Sequence, residues 1–212
     1  METPNPTKIY RLIHLENLSA YLERNGIHAP NTTPNDGLLY KTIHNEEIQQ
    51  TRHERRIPCG PQGVVHDYVP FYLGPLSPML LQLHTGKVEG YEEGQKPLIY
   101  LVSTAQKIVE ENLKYVFSDG HGIAIFTKWF DDLADLGKLD WPTIYAKYWA
   151  DTLEDMDRQR RKQAEFLIHQ FCPWSAIIGI GVINSEMVEE VEIVLKQYNA
   201  DVPVKVTRSW YY

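Results

Sequence analysis

The chain has 212 residues, of which 43% are hydrophobic and 23% are charged, and its formal net charge is −7. This size and composition predict a globular protein with an ample core and one large domain. The negative charge excludes a basic coat that binds nucleic acid generally, so any such contact must come from a local basic patch.

The first quarter of the chain predicts short elements separated by turns. Loose alternation over 9–13 predicts a strand, and three leucines on one face predict a helix over 15–24 that ends at Asn25-Gly26. The segment 30–37 is rich in Asn, Thr and Pro and predicts a loop. The polar segment 44–56 has few apolar anchors, so we expect an exposed helix there.

The remaining elements follow without a regular alternation of strand and helix. The β-rich run 66–73 contains Pro70, which cannot donate to a ladder, so we expect an edge strand or a bulge. The absence of a βαβ rhythm predicts the α+β class with an antiparallel or mixed central sheet. Apolar patterns and capping residues predict, in chain order, a helix over 77–84, a strand over 98–102, a helix over 104–112, a strand over 115–117, helices over 129–136 and 141–148, strands over 165–169 and 177–182, a helix over 187–198 and a strand over 202–206.

Cysteine usage and the lack of targeting signals predict a cytoplasmic protein. Cys59 and Cys172 lie far apart, without the spacing of a metal site, and read as free thiols in a reducing compartment. No apolar run reaches the roughly 18 residues of a membrane span. The N-terminus lacks the basic and apolar regions of a secretion signal. We therefore expect no membrane association.

The segment 158–168 places dense positive charge directly before one carboxylate and an apolar run. Arg158, Arg160 and Arg161 precede Glu165, which is followed by Phe-Leu-Ile. One interpretation is a solvated basic helix end before a core strand, and the residues alone favour it. The alternative is that Glu165 is the working carboxylate of a site and that the arginines hold a polyanion.

Two further patterns are candidates for a site. Arg52, Arg55 and Arg56 recur at spacings of three and four on the predicted exposed helix, and they form either a solvated face or an anion clamp. His121 lies between two glycines, which let the backbone approach a ligand closely and leave the ring accessible. Phosphate loops, dinucleotide fingerprints, nucleophile elbows and zinc patterns are not found in the sequence.

Six segments, in order along nearly the whole chain, resemble the DarT family of ADP-ribosyltransferase toxins, which modify nucleic-acid bases. The long His-Asp-Tyr-Val-Pro-Phe-Tyr block is the most specific of them. The segments are Ile9-Tyr10-x-x-x-His14-x-x-Asn17-Leu18, His66-Asp67-Tyr68-Val69-Pro70-Phe71-Tyr72-x-x-Pro75-x-Ser77-Pro78-Met79-Leu80, Ser118-Asp119-x-His121-Gly122, Tyr148-Trp149-Ala150-Asp151, Lys162-Gln163-Ala164-Glu165-Phe166-Leu167 and Trp210-Tyr211-Tyr212.

The resemblance implies one ADP-ribosyltransferase domain over residues 1–212, built around a split antiparallel or mixed sheet with surrounding helices. NAD+ would lie in the cleft as co-substrate, and no metal is implied. Cleavage of the sugar–nicotinamide bond develops positive charge, which a carboxylate stabilises. The family's catalytic glutamate falls on Glu165, and its catalytic arginine falls best on Arg52, although the spacing also allows Arg55 or Arg56.

The resemblance also implies contacts to the co-substrate. His14, Asn17 and Tyr40 fall where the family holds the nicotinamide end and its ribose. Arg52 is expected at the NAD+ phosphates or at the acceptor base. Arg11 stands where relatives often have His or Tyr, and an arginine there can reach a phosphate.

Other positions fall along the acceptor strand. Tyr72, Met79 and His121 match family positions around the acceptor base, and an aromatic can contribute about 1–3 kcal/mol by stacking on one base. The loop 149–164 is expected to choose the acceptor, with Arg158 and Arg161 as a clamp on its backbone. Weak affinity and pronounced salt sensitivity follow from such a clamp on an acidic protein.

The implied activity is transfer of ADP-ribose from NAD+ to a base of single-stranded nucleic acid, with thymidine in DNA as the default. RNA or a guanine base stays open as the acceptor. Alternatives of another class are a catalytically silent nucleic-acid-binding module on the same fold and a transferase that modifies protein. A cognate antitoxin is also implied, either a macrodomain hydrolase, a directly binding antitoxin or one assisted by a chaperone.

Overall fold

The computed structural model describes residues 2–212, which form ten strands and seven α-helices. Short 3₁₀ turns join several of them. The strands are β1 (Lys8–His14), β2 (Gly26–His28), β3 (Tyr68–Tyr72), β4 (Leu98–Thr104), β5 (Tyr115–Ser118), β6 (Trp129–Phe130), β7 (Glu165–His169), β8 (Phe171–Pro173), β9 (Gly179–Val182) and β10 (Val204–Val206). The helices are α1 (Leu18–Glu23), α2 (Glu46–Glu54), α3 (Pro78–His84), α4 (Ala105–Glu110), α5 (Trp141–Ile144), α6 (Arg158–Lys162) and α7 (Ser185–Gln197).

Eight strands form one mixed sheet in the order β10-β9-β4-β1-β3-β7-β5-β6. The pair β10–β9 is parallel and the other ladders are antiparallel, while β2 and β8 form a separate small sheet. The predicted α+β class with a mixed central sheet is therefore confirmed.

The sheet is split between β1 and β3. All seven residues of β1 pair with β4, from Lys8 opposite Thr104 to His14 opposite Leu98. Its other edge meets β3 only where Tyr10 lies opposite Tyr72. Beyond that point the two strands do not pair, and a cleft opens between them.

Pro70 lies within β3, opposite Leu167 of β7, so the expected edge position is not found in the strand order. The split explains how a proline is tolerated there. Arg11 Nη1 donates to the Pro70 carbonyl at 2.9 Å from the β1 side. In a strand the N–H and C=O of one residue point to the same neighbour, so the missing N–H faces the opening and removes no ladder bond.

Helices cover both faces of the sheet. On one face, α1, α4 and α7 pack on β1, β4 and β7, and α7 buries Met187, Val191 and Leu195 at a spacing of four residues. On the other face, Leu80 and Leu83 of α3 pack against β4. Within residues 2–212, no helix combines the length and apolarity needed to cross a bilayer.

Two element predictions were wrong. The segment predicted as a helix over 129–136 instead forms β6 and a 3₁₀ turn, because Trp129 and Phe130 pair with β5. The helix predicted over 141–148 ends at Ile144. The buried Lys162 ammonium takes the carbonyls of Ile144 and Ala146, at 2.7 and 2.9 Å, which a continuing helix would need for its own bonds.

Candidate active site

A buried ion pair joins the start of β7 to α2. Arg52 Nη1 and Nη2 donate to Glu165 Oε1 and Oε2 at 3.1 and 2.8 Å, a two-pronged geometry. Glu165 is 2% exposed and Arg52 8% exposed. Arg52 is the buried residue of the otherwise polar α2, whose first turn the Asn45 side chain caps. The helix thus presents one guanidinium to one carboxylate.

A third donor reaches the same carboxylate. The Gly122 N–H donates to Glu165 Oε1 at 2.9 Å, and the Glu165 N–H donates to Ser118 Oγ at 3.2 Å. Burial alone would raise the pKa of Glu165, but the charge and hydrogen bonds of Arg52 hold the pKa of this carboxyl below its usual range. Glu165 is therefore ionised at neutral pH, and Oε2 accepts only one of these bonds.

The loop 119–128 that carries Gly122 is fixed by close contacts. The His121 N–H donates to the Arg160 carbonyl at 2.9 Å, and Thr127 Oγ1 donates to the His121 carbonyl at 2.7 Å. A Cβ on Gly120 would lie 2.9 Å from the Arg160 carbonyl oxygen, so glycine is required there. Arg55 also serves this loop, because its Nη2 donates to the Ala124 carbonyl at 2.9 Å. The three candidate arginines are thereby distinguished, since Arg52 alone of the three faces Glu165.

The ion pair lies in the wall of a cavity of about 460 Å³, which opens at the split in the sheet. This volume falls in the range of small-molecule sites. Eight of the residues singled out in the sequence line it together: Arg11, Asn17, Tyr40, Arg52, Tyr72, Met79, His121 and Glu165.

One end of the cavity is lined by an irregular segment, residues 40–45. Asn17 holds it, because Asn17 Nδ2 donates to the Lys41 carbonyl at 2.9 Å and the Lys41 N–H donates back to Asn17 Oδ1 at 2.6 Å. The Tyr40 ring packs on Tyr21 with centroids 4.9 Å apart. Arg11 Nε and the Tyr40 hydroxyl are buried and have no hydrogen-bond partner among residues 2–212. The cavity therefore offers unused donors to a polar ligand.

His14 is not brought to the cavity wall. Its Nδ1 accepts from the Glu16 N–H at 3.2 Å, so the proton of the neutral ring lies on Nε2, which is 3.2 Å from Glu93 Oε2. Burial lowers the pKa of His14, with a further contribution from Lys41. His14 thus supports the neighbouring loop in this structure, and its predicted contact to a co-substrate stays a prediction.

The acceptor residues meet around Glu165. Tyr72 lies opposite Glu165 in the β3–β7 ladder, and its hydroxyl is 3.8 Å from Met79 Sδ. Burial lowers the pKa of His121, and the nearby Arg52 adds to the effect, so the ring is neutral at pH 7. A neutral imidazole can donate and accept, which suits contact with a nucleobase edge.

The basic run of α6 is engaged within the protein. Arg161 pairs with Asp140, Asp155 and Asp157, and its side chain is 23% exposed. Arg160 Nη1 contacts Asp119 Oδ1 at 2.7 Å, and its Nε contacts Asp157 Oδ1 at the same distance.

Arg158 differs from its neighbours, because Nη2 donates to a backbone carbonyl, that of Tyr148, at 2.8 Å. Asp155 and Asp157, in the acidic first part of the loop, supply partners for Arg161 in its basic end. Neither Arg158 nor Arg161 lines the cavity. Their role as a clamp on the acceptor strand stays a prediction.

Sequence reasoning missed two groups that hold Glu165, one at its carboxylate and one at its backbone N–H. Ser118 Oγ and the Gly122 N–H both contact Glu165, yet neither was proposed as a site residue. Both lie in the segment Ser118-Asp119-x-His121-Gly122, which carried part of the resemblance. A backbone donor leaves no mark on residue type, so the neighbouring glycine was the available signal.

The chain is similar to known proteins in both sequence and fold. The family model for "ssDNA thymidine ADP-ribosyltransferase, DarT" matches residues 10–212. The chain is similar to a DNA ADP-ribosyl transferase of Thermus sp. (strain 2.9), with 40% identity over 211 residues, covering 99% of this chain and 98% of the relative. The structure of Thermus sp. 2.9 DarT in complex with ADP-ribosylated ssDNA covers 100% of this chain and 99% of its own, with a TM-score of 0.93 and 39% identity. The same enzyme in complex with NAD+ has a TM-score of 0.88 and 38% identity and covers 99% of each chain. This chain therefore belongs to the DarT family of ssDNA thymidine ADP-ribosyltransferases.

Proposed function

We propose that this chain transfers ADP-ribose from NAD+ to the base of thymidine in single-stranded DNA and releases nicotinamide. The observation that carries the proposal is the ionised, buried Glu165, held by Arg52 and the Gly122 N–H in the wall of the cavity. Family membership and the relative's complexes with NAD+ and with ADP-ribosylated ssDNA support it. The single ADP-ribosyltransferase domain is part of the same proposal.

Glu165 serves the reaction as a fixed negative charge. When the bond between ribose and nicotinamide breaks, positive charge develops on the sugar, and a preorganised carboxylate stabilises it. The thymine nitrogen then bonds to the sugar carbon and loses its proton. Oε2 of Glu165 accepts one hydrogen bond and can accept another, so it can bind the N–H of the thymine and take up the proton that this nitrogen loses. Arg52 keeps Glu165 ionised and directs it, and we assign it a contact to the NAD+ phosphates or the acceptor base.

NAD+ supplies the ADP-ribosyl group and the leaving nicotinamide. The cavity suits NAD+ because its wall carries donors that have no hydrogen-bond partner in the part of the protein that the structure describes. Arg11 Nε and the Tyr40 hydroxyl line the wall without partners, as expected for groups that contact phosphate or ribose oxygens. Asn17 fixes the backbone beside Tyr40, whose ring can stack on the nicotinamide. Tyr72, Met79 and His121 also line the cavity, and we assign them to contacts with the thymine.

Single-stranded DNA is the macromolecular substrate in this proposal. A cognate antitoxin is the second partner that the family implies. We propose that it is a macrodomain hydrolase that removes the modification, rather than a binding antitoxin or a chaperone-assisted one. A protein that reverses the mark would release ADP-ribose from DNA labelled by this chain.

Mass spectrometry of oligonucleotides incubated with the enzyme and NAD+ tests the proposal. The set contains single-stranded DNA and RNA oligonucleotides that differ at one position, which carries each of the bases in turn. We expect an added ADP-ribosyl group on thymidine-containing DNA alone. Modification of guanine or of RNA would show that the acceptor is not thymidine in DNA. Labelling of protein with no labelled nucleic acid would contradict a nucleic-acid substrate. Binding of the oligonucleotide without any adduct would identify a catalytically silent binding module.

A further inference from the structure

We propose that Tyr212 is a positioning residue. It sets the spacing between the wall of the cavity and the loop 149–164, here called the acceptor loop. The inference rests on the proposed function, because the loop 149–164 matters only if it meets the acceptor strand. The Trp149 indole N–H donates to the Tyr212 hydroxyl at 2.7 Å, and that hydroxyl donates to the Leu76 carbonyl at 2.7 Å. One oxygen therefore joins two segments that are far apart in sequence.

The loop needs such an anchor because it has little structure of its own. Residues 145–157 contain no helix or strand, and Leu153 and Met156 are 96% and 79% exposed. Trp149 is the exception, since it is 9% exposed and packs into the body. The Trp149–Tyr212 bond thus ties the start of the loop to the rest of the molecule, together with the bond from Lys162 to the Ala146 carbonyl.

The other partner of the hydroxyl lies next to the site. Leu76 has a φ of 57°, a strained conformation for a leucine, in the turn between β3 and α3. Ser77 caps α3 directly after it, and Pro78 and Met79 at the start of that helix line the cavity. A shift of Leu76 would therefore move Met79 relative to Glu165.

Tyr212 is itself held in place, so it can act as a rigid link. Its backbone N–H donates to Gln95 Oε1 at 3.0 Å, and Gln95 Nε2 donates to its main-chain oxygen at 2.5 Å. Arg208 Nη2 donates to the same oxygen at 2.9 Å. These bonds fix the backbone without help from the hydroxyl, which leaves the hydroxyl free to serve Trp149 and Leu76.

The neighbouring Tyr211 offers a matched control. Its hydroxyl also bridges two carbonyls, those of Leu98 and Gly181 at 2.9 and 3.1 Å, but both lie in the core. Tyr211→Phe and Tyr212→Phe thus remove the same group, with the same number of lost bonds. They differ in whether the acceptor loop is affected.

Steady-state kinetics on a thymidine-containing single-stranded oligonucleotide distinguish the two variants. We expect Tyr212→Phe to raise the KM for the oligonucleotide about fivefold, because the loop loses its hydrogen bond to the link, and to leave the Kd for NAD+ within about twofold. Tyr211→Phe should lower the melting temperature at least as much with an unchanged KM. A wild-type KM in Tyr212→Phe, or an equal rise in Tyr211→Phe, would overturn the proposal.

Hydrogen exchange provides a readout that does not need the transfer reaction. Tyr212→Phe should speed amide exchange across 147–157 and 75–79, while Tyr211→Phe should not. If the wild type modifies no DNA but this pattern is found, the proposed function fails and the link stands; unchanged exchange refutes the link. If Tyr212→Phe does not fold, Trp149→Phe removes the donor from the other side, and it should give the same KM and exchange changes.

Discussion

Arginines on two helices are used in opposite ways in this molecule. In α2 a single arginine, Arg52, is buried against one carboxylate in the cavity wall. In α6, Arg160 and Arg161 form ion pairs with acidic residues of the preceding loop and with Asp119 and Asp140. The isolated charge serves the site, whereas the conspicuous cluster holds the scaffold around it.

The difference shows that local charge density is a poor guide to a site. Opposite charges near each other in sequence pair with one another, as Arg161 and Asp157 do at 3.4 Å. A guanidinium whose partner lies more than 100 residues away, as Glu165 does from Arg52, is held there by the fold. Burial of that pair costs desolvation, so the pair by itself adds little net stability, and we infer that it is kept for the reaction.

The largest expected effect is at Arg52. Arg52→Gln leaves Glu165 buried and unpaired, so we expect transfer to fall about 100- to 1,000-fold and the free energy of unfolding to fall by about 3 kcal/mol. Initial rates of oligonucleotide labelling and urea unfolding measure the two effects. Arg56→Gln, on the exposed residue of the same segment, is the control and should change neither. Equal rates for Arg52→Gln and the wild type would remove the functional distinction between the helices.

Lowering the pH should affect the α2 region before α6. Burial, together with the positive charges of Arg52, His53 and His44, lowers the pKa of His66 to about 4. The pKa of a histidine in the unfolded chain is about 6.5. Between this pKa and that of folded His66 the unfolded state binds more protons, so the free energy of unfolding falls as the pH drops from about 6.5 to 4.

The pH effect is measurable by urea unfolding between pH 7 and pH 4. Solvent screening at this partly exposed ring limits the loss to about 1 kcal/mol. His66→Gln keeps an amide near Gln49 and should flatten the dependence, with the α6 pairs intact until Asp155 protonates at lower pH. A mutant curve parallel to the wild-type curve would contradict the assignment to His66.

Arg161→Gln tests whether α6 is scaffold or clamp. Three carboxylates lose a shared cation, so we expect the melting temperature to fall by about 3 to 5 °C. The KM for the oligonucleotide should stay within about twofold, because the guanidinium is already engaged. Thermal melts and steady-state kinetics decide, and a raised KM with an unchanged melting temperature would favour the clamp.

Arg158→Gln should give the smallest effect. Arg158 is bonded to a backbone carbonyl and not to a carboxylate, so it is the cation of this run that can contact a phosphate. We expect the KM to rise about two- to threefold. The slope of log KM against the logarithm of the salt concentration should become shallower by about 0.7, which is the value for one phosphate contact on a single strand. An unchanged salt slope would leave α6 without a role in DNA binding.

Much of the fold was predictable because its elements carry strong local patterns. The strands β1, β4 and β7 and the helix α7 follow from apolar periodicity and capping residues. The segment 129–136 fits a helical pattern equally well, and only the pairing of Phe130 with Phe117 decides for a strand. Tertiary pairing of that kind is invisible to local periodicity.

The site was predictable in its residues but not in its geometry. Family resemblance led to Glu165 and Arg52, whereas α2 by itself reads as a polar, solvated helix. The Gly122 donor and the ion pairs of Arg160 and Arg161 depend on contacts between distant segments. Residue type alone could not separate an engaged arginine from a free one.

The central claim is that the carboxylate of Glu165 performs the transfer. Mass spectrometry of a thymidine-containing single-stranded oligonucleotide, incubated with NAD+ and either wild type, Glu165→Gln or the exposed control Glu189→Gln on α7, tests it most directly. We predict adduct formation by the wild type and Glu189→Gln, and a loss of at least about 100-fold in Glu165→Gln. Adduct formation by Glu165→Gln at the wild-type rate would contradict the account.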